Sequence, residues 1–193
     1  ELTKNLIMAV ETAVLKGLGM INPGVKTNEI GKATYDIIKG FGYNPIKALS
    51  GHLIDKYQIH GGKEIPNVPT PSGQPFEEGE VFAIECFAST GAGNIHKTNN
   101  CEIFSYDIDA DRIPIRNNLT RKVHGWIYKN KKTLPFSSRE LLQEFKLGKF
   151  ALRELKQAGK LIEHFVLREE KASYVAQNEH TFMVTKDGIE RLT

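Results

Sequence analysis

Residues 77–87 read Glu77-Glu78-Gly79-Glu80-Val81-Phe82-Ala83-Ile84-Glu85-Cys86-Phe87, an acidic turn followed by the clearest strand in the chain. The strand is apolar except for Glu85, which sits between Ile84 and Cys86. A carboxylate held in that company without a partner loses several kcal/mol in desolvation or is forced neutral, so it needs a positive neighbour. The pattern returns in Val175-Ala176-Gln177-Asn178-Glu179-His180-Thr181-Phe182-Met183-Val184, an alternating strand with Glu179 in its interior. One such acid is best explained by an edge strand that turns it to water. Two of them, with few lysines in the apolar stretches, point instead to a bound cation.

Upstream, Leu6, Val10, Ala13, Val14 and Leu18 recur at helical spacing until Pro23-Gly24 breaks the pattern. A second helix follows, capped by Thr27, with Ile30, Ala33, Ile37 and Ile38 as its buried stripe and Gly40 and Gly42 as stops. Residues 43–75 are rich in Gly, Pro and Ser and read as loops with short β-like pieces such as Tyr57 to Ile59. Loops of that length usually carry function. His52 and His60 lie here, beside Gly51 and Gly61. Their even separation puts both imidazoles on one side if the segment runs as one strand. A lone histidine is more often a structural hydrogen-bonder, but imidazole combined with carboxylates is the ligand set of a divalent site that activates water.

Downstream, residues 117–160 read as helices, with Ser137 or Ser138 capping the turn before Leu141, Leu142 and Phe145, and Gly159 as a stop. Residues 172–184 return to alternation, and Asp187-Gly188 marks a turn. Strands on both sides make the helical segment an insertion into an α+β domain. Charge follows the same division. The chain carries 26 Lys and Arg against 23 Asp and Glu, a net of +3. Between Arg112 and Lys160, 13 basic residues face 3 glutamates, a net of +10, which leaves −7 for the rest. Such a block suits phosphate contacts, although on charge alone a solvated helix face is the commoner outcome. Trp126 and Tyr128 are as suited to a core as to stacking.

A chain of 193 residues that is 40% hydrophobic and 25% charged has the composition of a globular domain. At this length it buries roughly 70% of its unfolded surface without needing disulfides. Cys86 and Cys101 make no thiolate metal pattern and fit a reducing compartment. No apolar run reaches the ~20 residues of a membrane span and no signal pattern opens the chain, so the cytoplasm is the expected location. Asp107-Ile108-Asp109-Ala110-Asp111 begins like a calcium loop but has Arg112 where glycine is needed and Asn118 where glutamate is needed. Gly91-Ala92-Gly93 lacks the rest of a nucleotide-binding pattern.

Three segments, taken in order, resemble type II methionine aminopeptidases: Gly51-His52-x-Ile54-x-x-Tyr57-x-Ile59-His60-x-Gly62-Lys63, the stretch from Glu78 to Glu85, and Ala176-Gln177-x-Glu179-His180-Thr181. Ser89-Thr90-Gly91-x-Gly93, Pro114-Ile115-Arg116 and Thr133-Leu134-Pro135-Phe136 extend the resemblance over nearly the whole chain. The resemblance implies an α+β pita-bread fold with a helical, winged-helix-like insertion, divided into a catalytic segment 1–111, a basic insertion 112–165 and final strands 166–193. It implies two divalent metal ions, cobalt, manganese, iron or zinc, with His52, Glu85 and Glu179 as ligands and Glu179 bridging. Glu85 and His60 become catalytic residues, Glu85 handling the proton of the attacking water. Ile59, His60 and His164 become substrate-binding residues, His164 standing where the family has a tyrosine. The implied reaction is removal of the initiator methionine from nascent polypeptides, by a monomer without membrane contact whose basic insertion meets the ribosome or its RNA.

The family pattern has two further aspartate ligands and a further pocket histidine before the first helix, and none follows Glu1 here. The chain is therefore expected to represent the second half of the pita-bread with its insertion, and to be inactive by itself. Ile103 stands where the family has a histidine. The alternative from another class is a metal-free homologue acting as an RNA- or ribosome-binding module. Retention of His52, Glu85 and Glu179 argues against it, because buried acids without a cation are costly.

Overall fold

The structure, a computed structural model, describes residues 1–110 and 114–193. Asp111 of the acidic turn and Arg112, which opens the basic block, lie outside the described residues. In chain order the elements are α1 (Leu2–Leu18), α2 (Thr27–Gly40), β1 (Asn44–Pro45), β2 (Ser50–Ile54), β3 (Glu64–Pro66), β4 (Val81–Ser89), β5 (His96–Tyr106), α3 (Asn118–Asn130), β6 (Phe136–Ser137), α4 (Ser138–Glu144), α5 (Gly148–Gln157), β7 (Leu161–Arg168), β8 (Val175–Thr185) and β9 (Gly188–Arg191). They form two units, residues 1–96 with 168–193, and residues 97–167.

In the first unit the strands form one antiparallel sheet in the order β3-β2-β4-β8-β9, with β1 also paired to β4. Helix α1 packs on β4 and β8, and α2 on β1 and β3. Alternation along β4 sends Phe82, Ile84, Cys86 and Ala88 into a core with Val10, Val14, Ile30, Ile38, Phe182 and Val184. Phe82 stacks on Phe182 at 5.8 Å and meets the edge of Phe76 at 5.0 Å. The same alternation leaves Glu85 and Phe87 on the opposite face, half-buried, with Gln177 and Glu179 of β8 exposed beside them.

Two local expectations change. Thr27 is the first residue of α2 and Lys26 occupies the cap position, its N–H donating to Glu29 Oε1 at 3.1 Å. The Thr27 hydroxyl instead accepts from the Gln74 N–H at 3.3 Å, tying the helix to the loop before β4. The piece from Tyr57 to Ile59 is a turn rather than a strand. Asp55 and Gln58 exchange backbone hydrogen bonds of 2.8 and 2.9 Å, and Tyr57 takes a left-handed φ of 61°. His52 and His60 therefore do not share a continuous strand, because the chain doubles back between them.

The second unit is a three-stranded sheet, β6-β5-β7, with three helices around a core of Phe104, Val123, Ile127, Phe136, Leu141, Ala151 and Leu155. Asn117 caps α3 by accepting from the N–H groups of Leu119 and Thr120, and Ser137 caps α4 by accepting from Glu140. The basic insertion expected over 112–165 shares this unit with β5, which pairs with β6 through Ile103↔Ser137 and Phe104↔Phe136. Trp126 packs against the core, whereas Tyr128 is 58% exposed. Among the described residues no helix is long and apolar enough to cross a membrane.

Candidate metal centre

The open face of the first unit's sheet gathers His52 from β2, Glu85 from β4 and Glu179 from β8. Register accounts for it. Glu85 and Glu179 are direct cross-strand partners, and His52 pairs with Ala83, two residues before Glu85 on the same strand. His52 Nε2 lies 2.9 Å from Glu85 Oε1, with both side chains largely buried. Gln177 Nε2 donates to Glu85 Oε2 at 3.1 Å and to Glu179 Oε2 at 3.3 Å.

Electrostatics at the site run in two directions. The hydrogen bond to Glu85 holds the His52 imidazole above its ordinary value, against the opposing effect of burial and with help from the Glu85 charge and from backbone hydrogen bonds to Leu53 and Ile59. Burial, and then the Glu85 charge, push Glu179 up, with His52 pulling weakly the other way. The returning turn sets the His60 ring 4.5 Å from His52, edge to face. Burial and the neighbouring imidazole hold His60 below its ordinary value. A cavity of about 280 Å³ opens beside it, lined by Leu49, Ser50, His60, Glu64, Glu85 and Phe87. Ile59 is half-buried on the same return.

His164 belongs to the second unit, on β7, where its Nε2 is 2.9 Å from Ser105 Oγ. Ile103 is an exposed residue of β5. Of the expected site residues, the first unit thus brings together His52, Ile59, His60, Glu85 and Glu179. Gln177 had no assigned role, yet its place two residues before Glu179 on an alternating strand was a usable signal.

Does this donor set suit a divalent cation? Among the described residues no lysine or arginine pairs with Glu85 or Glu179. Lys63, three residues after His60, is spent on Glu77 and Glu80 at 3.0 and 2.5 Å. Two opposed carboxylates and an imidazole without a resident basic side chain are oxygen and nitrogen donors short of positive charge, and they fit a divalent ion. No group of three or more His, Cys, Asp or Glu among the described residues is gathered closely enough to hold an ion unaided. His52 and Glu85 are turned towards each other instead.

An α+β frame with this donor set on an antiparallel sheet points to the metal-dependent hydrolases. The chain belongs to metallopeptidase family M24, whose profile matches residues 1–186. Among curated relatives, a methionine aminopeptidase of Thermococcus onnurineus is 40% identical over 187 residues, which cover 95% of this chain and 62% of that protein. The chain thus spans less than two thirds of that relative's length. Two solved structures share the fold: a thermophilic Arx1, with TM-score 0.78, 23% identity and coverage of 97% of this chain and 56% of that one, and a methionine aminopeptidase of Rickettsia prowazekii, with TM-score 0.59, 20% identity and coverage of 98% and 51%. The α+β pita-bread expectation is met, and the family carries a divalent metal cofactor.

Proposed function

We propose that this chain supplies His52, Glu85 and Glu179 to a metallo-aminopeptidase that removes the initiator methionine from nascent polypeptides in the cytoplasm. The observation that carries the reading is the opposed pair Glu85 and Glu179, with His52 2.9 Å from Glu85 and, among the described residues, no basic side chain paired with either acid. A bound divalent cation supplies polarisation of the scissile carbonyl and a lowered pKa for water. The chain's own part is to hold that charge and to manage protons and substrate. Glu85, hydrogen-bonded to His52, takes the proton of the attacking water. His60, beside the cavity, and its neighbour Ile59 contact the residue next to the cleaved bond. Two ions, drawn from cobalt, manganese, iron and zinc, complete the proposal.

The test is Glu85→Gln in the whole enzyme of which this chain is part, assayed for methionine release from a Met-Ala-Ser peptide. Turnover should vanish while the circular dichroism spectrum is kept. Undiminished release would overturn the assignment of Glu85.

Ribosomal RNA is the proposed partner of the second unit. What supports it is a charge of +6 over residues 97–167 and the exposed Lys149 and Arg153 of α5, which make no ion pair among the described residues, whereas Lys131 and Lys156 are engaged by Glu140 and Glu163. Ribosome cosedimentation should fall with salt and with Lys149→Glu and Arg153→Glu together. Cosedimentation indifferent to both would remove the partner.

A further inference from the structure

Resting on the metal reading above, we propose that Gln177 is a positioning residue for the cation, its side-chain amide fixing the separation of Glu85 and Glu179 so that both can serve one ion. Gln177 and Glu179 are two apart on β8 and share a face. Glu179 stands opposite Glu85, but Gln177 stands opposite Phe87, so its amide must reach Glu85 along the diagonal of the ladder. Only a long side chain covers that distance. The reach is made, with Nε2 at 3.1 Å from Glu85 Oε2 and 3.3 Å from Glu179 Oε2. A single NH2 group thus gives one hydrogen to each carboxylate, while Glu85 Oε1 stays with His52.

The residue type is what the task requires. A carboxylate at 177 would add a third negative charge to a face already short of positive charge. An asparagine is one methylene too short for the diagonal. A lysine would restrain both acids, but it would also cancel the charge that draws the ion and occupy the ion's place. A neutral group with two hydrogens restrains the pair and leaves its charge intact. Outer partners of metal ligands that act in this way typically change metal affinity 10–100-fold when removed.

The experiment is calorimetric titration of the whole enzyme that contains this chain with Mn²⁺ at neutral pH, paired with thermal unfolding in a chelator. Gln177→Leu should weaken Mn²⁺ binding about 10–100-fold while the metal-free unfolding temperature stays close to that of the wild type, because water replaces these hydrogen bonds on an open sheet face. Gln177→Lys should abolish Mn²⁺ binding and raise the metal-free unfolding temperature. Wild-type affinity in Gln177→Leu overturns the role of Gln177 and leaves the metal reading standing. Failure of the wild-type whole enzyme to bind Mn²⁺ overturns both.

Discussion

Glu85 and Glu179 face each other across the β4–β8 ladder and share one donor, the Gln177 amide. Like charges at directly opposed positions destabilise a sheet, and no lysine or arginine among the described residues relieves this pair. The sheet therefore holds a local conflict that a divalent cation would resolve. Its sign shows in Glu179, which partial burial and the Glu85 charge hold above its ordinary value.

Removing one charge should accordingly stabilise the metal-free chain. Glu179→Gln is expected to raise the unfolding free energy by roughly 0.2–1 kcal/mol in chelator, the usual range for a cross-strand pair. The same variant should lose any gain in unfolding temperature on adding Mn²⁺. Thermal melts with and without the ion read both effects, and a lower melting temperature in chelator would show that the pair is not in conflict.

Glu169 is a carboxylate that the fold favours. It is buried between Ser89 Oγ at 2.9 Å and the Gly93 N–H at 2.6 Å, and the Glu170 N–H also donates to it. Burial alone would raise its pKa, but these hydrogen bonds and one from Asn94 outweigh it and hold the carboxyl below its ordinary value. The ionised form is the one stabilised, so its contribution is complete above the ordinary carboxylate value and is lost as pH falls through the depressed one. Glu169→Gln should cost roughly 1–3 kcal/mol at neutral pH. That difference from wild type should shrink below about pH 4 in urea titrations. A difference that grows on acidification would refute the assignment.

Both helices of the first unit and strands β4 and β8 were legible in the sequence because each carries its own period: Leu6 to Leu18 at helical spacing, Val81 to Phe87 as an apolar run, and Val175 to Val184 in alternation. Glu85 and Glu179 announced themselves by breaking those periods. Strand β5 did not, since His96-Lys97-Thr98-Asn99-Asn100 has no apolar face for a pattern to mark. Pairing supplies what composition withholds, and pairing partners lie far away in the chain. The approach of His60 to His52 was hidden for a related reason, as it depends on the turn at Asp55–Gln58 and on Tyr57 in a left-handed conformation that no residue type there demands. Glu169, inside Arg168-Glu169-Glu170-Lys171, reads as one more charged loop residue until Ser89 and Gly93 are seen around it.

Thiol reactivity separates the two cysteines. Burial first, opposed by a hydrogen bond with Thr34 and helped by the Glu85 charge, pushes the Cys86 thiol up to about 12. Cys101 is also raised, but it is only half-buried. Since the thiolate is the reacting species, iodoacetamide at mildly alkaline pH should modify Cys101 alone in the native chain and both cysteines in urea, as read by intact mass. Modification of Cys86 at the Cys101 rate in the native chain would contradict its burial.

Gly51 tests how the sheet sets the site. A Cβ there would lie 2.6 Å from the Ala83 carbonyl oxygen and 3.1 Å from the Glu85 nitrogen, both backbone atoms of β4 that cannot swing aside. Alanine can be admitted only if β2 moves away from β4, and His52, the next residue on β2, must move with it, away from Glu85. Gly51→Ala should therefore cost roughly 1–3 kcal/mol by urea unfolding, as overpacking does, and should also weaken Mn²⁺ binding. Gly125→Ala is the control, lying inside α3 with nothing within 4 Å of its would-be Cβ. It should gain roughly 1 kcal/mol from helix propensity. If Gly51→Ala unfolds and binds Mn²⁺ as the wild type does, β2 is not held by this contact, and the position of His52 has another cause.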